Sequence, residues 1–363
     1  NDYMKKWFGL FLIFLTGIFS SIGQTASDFN LKFNEPGTDS WSSLPLGNGE
    51  ITAQIWTDGN GAIQYYLATS DSRDGMDNPI KVGKITIRFE PDIINNGSGY
   101  TEQLLLNEGA FRVKNSIADI SFRVDANQPV ILLSGTSKVP VKIYVTNNIW
   151  RRETRNWNQE EYVAEYGDDK MPFKPFMEAD KSLVLGKSLV WYHRNENEVF
   201  WNELMKANGL LDLGIKNPLK NRTSGALVNG IGLQPLNDTT LSSERPQKRF
   251  VIRTTVLVKQ TDTEEEYLNE LRELAGQIES QPDKVLSAAH KKWWSDYWSR
   301  SYVYFNADDP ALNDTLQILN RGYVLQRYIN AIGGRGQLPV KFNGASLVLD
   351  TYNHSIGRVS GKS

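Results

Sequence analysis

The stretch ITAQIWTDGNGAIQYYL (residues 51–67) places Ile51, Ala53 and Ile55 on one side of an extended segment, and Ile63, Tyr65 and Leu67 on the matching side of the next. Side chains alternate faces along a strand, so each segment has one apolar face. TDGNG (57–61) supplies turn residues between them, and the pair reads as a β-hairpin. Further strands are expected at 84–90, 101–106, 111–114, 117–124, 129–134, 141–147 and 188–193, with FVIRTTVLVKQT (250–261) a long one. Turn signals such as NEG and DANQP separate them at the spacing of an antiparallel sandwich. Residues 150–181 are polar, aromatic and irregular, and read as an inserted loop region.

Beyond residue 261 the apolar period lengthens to that of a helix. Thr263 and Glu266 stand as N-cap and N3 of a capping box, followed by Tyr267, Leu271, Leu274 and Ile278 on one stripe. A second helix is expected from Pro282, with Trp294 and Trp298 on one face and Trp293 and Tyr297 on an adjoining one. A third follows ADDP (307–310), carries Leu312, Leu316, Leu319 and Tyr323, and stops at Gly333 and Gly334. An amphipathic helix needs partners to cover its stripe, so this last one is expected to expose it.

Net charge is −2, so there is no basic field for a nucleic acid. The absence of Cys excludes disulfides, thiolate metal sites and a cysteine nucleophile. The three His (His193, His290, His354) lie far apart, so no metal is expected, and the glycines around Arg335 lack the pattern of a phosphate loop, so no cofactor is either. Lys5 and Lys6, a short apolar run over 7–19 and the small residues of SSIGQTAS read as a secretory signal peptide, cut after Gly23 or Ala26. The expectation is therefore a secreted or periplasmic protein with no membrane span after cleavage.

Six segments in order carry a family resemblance: WSSLPLGNGEITAQIW (41–56), IQYYLATSDSRDG (63–75), IKVGKITIRFEP (80–91), LVWYHRNENEVFW (189–201), WWSDYWSRSYV (293–303) and YVLQRYINAIGGRGQLPVKFNG (323–344). The first resembles the opening motif of glycoside hydrolase family 95, and the set is most similar to the bacterial family called domain of unknown function 5703. The resemblance implies a mainly β fold: an N-terminal antiparallel super-β-sandwich, a helical linker and an (α/α)6 barrel with a carbohydrate site in its mouth. On that reading residues 1–23 are the signal peptide, 28–261 the sandwich, 262–306 the linker and 307–363 the start of a truncated barrel domain. The implied activity is inverting, α-L-fucosidase-like hydrolysis of glycans, with a carbohydrate as partner. The family's acid Glu and water-positioning asparagines lie downstream of the segment resembling 338–344 and have no counterpart here, so the chain is expected to be inactive alone. The alternative is a non-catalytic carbohydrate-binding module using aromatics of 150–157, and a polysaccharide lyase is a third reading.

Candidate substrate-binding residues are Trp41, Asn48, Asp71, His193, Arg335 and Asn343. Asn48 either faces substrate or closes a turn between Gly47 and Gly49, and turn chemistry favours the latter. Asp71, Asp74 and Asp77 resemble a calcium loop without EF-hand spacing, which favours a turn with solvated acids. His193 and Arg194 either reach a sugar or stand as exposed tips at a strand end. The resemblance implies that Arg335 and Asn343 touch substrate in a complete relative.

Overall fold

The computed structural model describes residues 25–166, 175–336 and 347–350, together with a short ladder between Tyr352–Asn353 and Arg358–Val359. The expected signal segment and Asn343 lie outside these residues. Among them the hairpin forms as the alternation requires, Ile51–Thr57 pairing antiparallel with Ile63–Arg73.

Two antiparallel layers are built from such pairs. In one, the order runs Leu31–Phe33, Thr101–Leu105, Ala110–Lys114, Ala118–Val124, Val130–Asn147, Gln247–Gln260, Arg222–Gly230, Ser188–Arg194 and Lys181–Leu185. In the other, Leu44–Gly47 pairs with Ile51–Thr57, then come Ile63–Arg73, Pro79–Glu90, the far half of Val130–Asn147, Thr240–Ser243 and Leu233–Pro235. The strands expected at 129–134 and 141–147 are thus one 18-residue strand that serves both layers. Pro140, which cannot donate to a ladder, falls between the two pairing segments, where no partner demands its N–H.

The alternating faces meet in a common core. Ile55, Tyr65 and Leu67 of one layer are buried with Phe122, Leu133 and Phe250 of the other. Tyr65 lies 4.9 Å from Phe122 between ring centroids, and its hydroxyl bonds Thr254 Oγ1 at 2.8 Å, which satisfies the one polar atom the ring carries inward.

Five helices are described. The expected loop region contains α1 (Gln159–Tyr166) and a two-strand ladder of Arg155–Asn156 with Phe176–Met177, and α2 (Val199–Ala207) follows the strand ending at Arg194. Helix α3 (Glu264–Glu279) begins as its cap residues dictate: Thr263 Oγ1 accepts from Glu266 N at 3.1 Å. The Glu266 carboxylate accepts from Asp262 N, one residue earlier than a capping box requires. Its buried stripe of Tyr267, Leu271, Ala275 and Ile278 covers the outer face of the first layer at Val190, Leu227, Val130 and Leu132. Helix α4 (Asp283–Ser299) buries Trp294 against the turn at Gly109, whose φ of +54° and missing Cβ leave room for the indole. Trp298 Nε1 donates to Leu106 O at 2.9 Å on the same side.

Helix α5 (Pro310–Gly333) starts with Asp309 Oδ1 accepting from Leu312 N, and Pro310 at its first position. The exposed stripe expected along it is present only in its first half, where Leu312 is 53% and Leu319 56% exposed and Ile318, off that stripe, is 72% exposed. In its second half Val324, Tyr328, Ala331 and Ile332 enter the sandwich core, and Tyr328 donates to Pro45 O at 2.9 Å. The Ile318→Glu, Leu319→Glu double variant is therefore expected to leave the unfolding free energy from urea titration within about 0.5 kcal/mol of wild type, as for ordinary surface changes. It is also expected to reduce self-association in size-exclusion chromatography. A large drop in midpoint would place this half of the helix against the protein instead. Among the described residues no helix is long and apolar enough to cross a membrane.

Candidate functional site

The turn of LPLGNGE is held by its asparagine. Asn48 Oδ1 accepts from Ile51 N at 2.9 Å and Glu50 N at 3.2 Å, while Nδ2 donates to Asp125 O at 2.9 Å and Gln128 O at 3.3 Å. One side chain therefore joins two turns from different layers. Gly49, at φ +93°, donates its N–H to Ile332 O at 2.8 Å, and its carbonyl sits so close to Gly336 that a Cβ there would lie 2.3 Å away. The end of α5 is the third part of this junction.

Arg335 emerges from it. Its guanidinium lies 3.7 Å over the Trp293 ring, and Nη2 donates to Ala126 O. Burial draws its pKa down to about 10, an effect opposed by Glu50 and Asp125, so the group remains a cation at neutral pH. From α4, the 2% exposed His290 reaches the same turn: Nδ1 accepts from Ala126 N at 3.0 Å, and Nε2 donates to Glu108 O at 2.8 Å. With both neighbours fixed, the ring is neutral and the proton sits on Nε2. Asp125 Oδ1 accepts from Asn127 N and Gln128 N, shaping the turn, and burial raises its pKa. Asp125, His290 and Trp293 were not singled out as site residues from sequence. The turn itself was signalled, because DANQP begins with an Asp poised for an Asx turn.

Beside the junction lies a groove of about 420 Å³, bordered by Glu50, Asp71, Pro129, Arg222, Val256 and Leu274. Asp71 Oδ2 accepts from Arg222 Nη2 at 2.8 Å and Oδ1 from Thr69 Oγ1 at 3.0 Å, while Arg222 Nε donates to Asp71 O at 3.0 Å. The Glu50 carboxylate makes no hydrogen bond or ion pair among the described residues, and of these two acids it is the one left for a ligand.

The remaining candidates lie elsewhere. Trp41 is 54% exposed and its Nε1 donates to Asp350 O at 3.0 Å, beside the pairing of Asp350 with Lys81. His193 and Arg194 are not exposed tips: they are 2% and 6% exposed. His193 Nδ1 bonds Asp180 Oδ1 at 3.0 Å, an oxygen that also accepts from Arg151, and Arg194 donates to Thr223 Oγ1 and, at the entry to α3, to Thr261 O. Asp74 is likewise not a solvated acid. It is 2% exposed, its Oδ1 accepts from Met76 N and Asn78 N, and burial raises its pKa. The fold thus gathers Asn48, Asp71 and Arg335 around one junction and leaves Trp41 and His193 outside it.

No curated protein matches the chain. Among solved structures it is similar to a protein from the human microbiome described as a kojibiose phosphorylase, at 12% identity and a TM-score of 0.41. That match covers 84% of this chain and 41% of the other, so the chain spans about two fifths of the length of that structure. A family model described as a domain of unknown function (DUF5703) matches residues 32–303, most of the chain, and the protein belongs to that family.

Proposed function

We propose that the protein is the sandwich-bearing part of a secreted or periplasmic carbohydrate-active enzyme, an inverting glycoside hydrolase of α-L-fucosidase-like type. On this reading α5 is the first helix of an (α/α)6 barrel, and the groove contributes to substrate binding. The observation that carries the proposal is the meeting of two motifs named by the family resemblance, LPLGNGE and GGRG, through Gly49 N–H to Ile332 O and the contact of Gly49 with Gly336. The apolar stripe left uncovered on the first half of α5 supports the reading of that helix.

Inversion needs one carboxylic acid and one carboxylate about 6.5–9.5 Å apart across the scissile bond. At the groove Asp71 is committed to Arg222 and Thr69, which leaves Glu50 without a second free carboxylate among the groove residues named above. That favours binding without turnover by this polypeptide. The purified chain is expected to release no aglycone from aryl α-L-fucosides while retaining fucosylated oligosaccharides on a glycan array, and Arg222→Ala is expected to weaken that retention. Steady turnover by the purified chain would overturn the inactive-chain reading, and a flat array would overturn the binding reading.

A further inference from the structure

A second pocket, of about 520 Å³, lies between α2, the loop that follows it and the end of the long strand Gln247–Gln260. Ligand sites of small molecules commonly fall in this size range, and this one is lined mostly by polar side chains around one indole. Trp201 of α2 borders it, and its Nε1 donates to Ile215 O at 3.2 Å, which fixes the indole edge to the loop. Asn217, 7% exposed, uses Oδ1 to accept from Leu219 N at 2.9 Å, and its Nδ2 makes no hydrogen bond among the described residues. An amide that lines a pocket with two unused N–H donors can give both to an acceptor bound there. Gln260 gives Nε2 to Lys220 O at 2.6 Å and keeps its carbonyl oxygen, and the side chain of the exposed Asn202 adds another amide.

The charges around the pocket cancel: Glu198 and Asp262 stand against Lys216 and Lys220, and Lys220 already pairs with Glu198 at 3.4 Å. A phosphate or polyanion would find no excess of cations here, and a lipid chain would meet amides instead of a continuous apolar wall. A molecule with an apolar C–H face and a rim of hydroxyls, which both donate and accept, matches an indole surrounded by amides. We infer that this pocket binds a neutral saccharide of one or two rings, at a site separate from the groove of Asp71 and Arg222. Asn221 lines the pocket and Arg222 the groove, so the two sites adjoin at the head of one strand.

The inference uses the carbohydrate reading of the protein only to choose the probe. The test is a titration of the full chain with a panel of neutral disaccharides built from glucose, galactose and fucose, followed by calorimetry and tryptophan fluorescence. Trp201→Ala is expected to weaken binding at least about tenfold, as loss of an aromatic anchor does. Trp201→Tyr is expected to restore most of it, and the Ile318→Glu, Leu319→Glu double variant on the exposed half of α5, whose residues do not line the pocket, to leave it unchanged. Asn202→Ala, an exposed change that leaves the fold intact, is expected to weaken it several-fold. Binding that is lost in Arg222→Ala and retained in Trp201→Ala would overturn the pocket and leave the carbohydrate reading standing. No binding by any member of the panel would overturn the pocket as well, and the glycan array would then judge the broader reading on its own.

Discussion

Acidification from pH 7 to pH 4 is expected to remove about 3 kcal/mol of folding stability through His290, on the scale of about 1.4 kcal/mol per pKa unit. Burial, aided by Arg123, Arg335 and Lys291, lowers its pKa from the ordinary 6.5 to about 4. The unfolded chain therefore takes up the proton first. The contribution is complete above the unfolded value and is lost as pH falls toward the folded one. Protonation would also put a hydrogen on Nδ1, the atom that accepts from Ala126 N–H. Asp74, Glu102 and Asp125 act in the opposite sense, because burial raises their pKa values and their protonated forms favour the folded state as pH falls. The comparison that isolates the histidine is wild type against His290→Gln, by urea unfolding at a series of pH values between 7.5 and 4. The variant is expected to be less stable at pH 7.5 and to show a shallower slope across the window by about one proton. Parallel slopes would mean that His290 does not titrate in this way.

Trp294→Ala is expected to cost about 3–5 kcal/mol, the range for removing a large aromatic from a packed core. The indole is 1% exposed, stacks on Tyr328 of α5 with centroids 5.5 Å apart, and fills the space left by Gly109. Losing it would remove the common partner through which α4 and the packed half of α5 hold the sandwich. A urea midpoint and native-state hydrogen exchange would read both consequences: a large loss of stability, and earlier exchange at 324–332 than in the hairpin of Ile51–Thr57. A loss below about 1 kcal/mol would show that the neighbouring rings of Trp293 and Trp298 refill the site.

The parts of this fold readable in sequence are those set by local period. Ile51, Ala53 and Ile55 announce their face within five residues, and Thr263 announces a helix start within four. The stretch SGTSKVP (134–140) misleads because its polar residues and proline resemble a break, whereas the strand only changes partners there. Helix α2 did carry a pattern, Phe200, Trp201, Leu204 and Met205, but in a stretch between two strand signals to which the sequence reading assigns no element. The site was legible only in pieces. Nothing local in sequence tells that Asn48 will grip Asp125 and Gln128, that His290 will close on Ala126, or that Arg335 will arrive from the far end of the chain. Those pairings are properties of the topology. Burial of Arg194 was hidden for the same reason, since the entry to α3 that receives it lies far along the chain, and the partner of His193, Asp180, falls in the stretch read as irregular loop.

The strand Val130–Asn147 has a mechanical consequence. Because one backbone is hydrogen-bonded into both layers, pulling them apart would require its ladders to yield in shear on two sides at once, not one bond at a time from an edge. The two sheets should accordingly respond to force as one body, and an optical trap pulling between a handle at Leu31 and one at Thr240 should record a single rip instead of two steps.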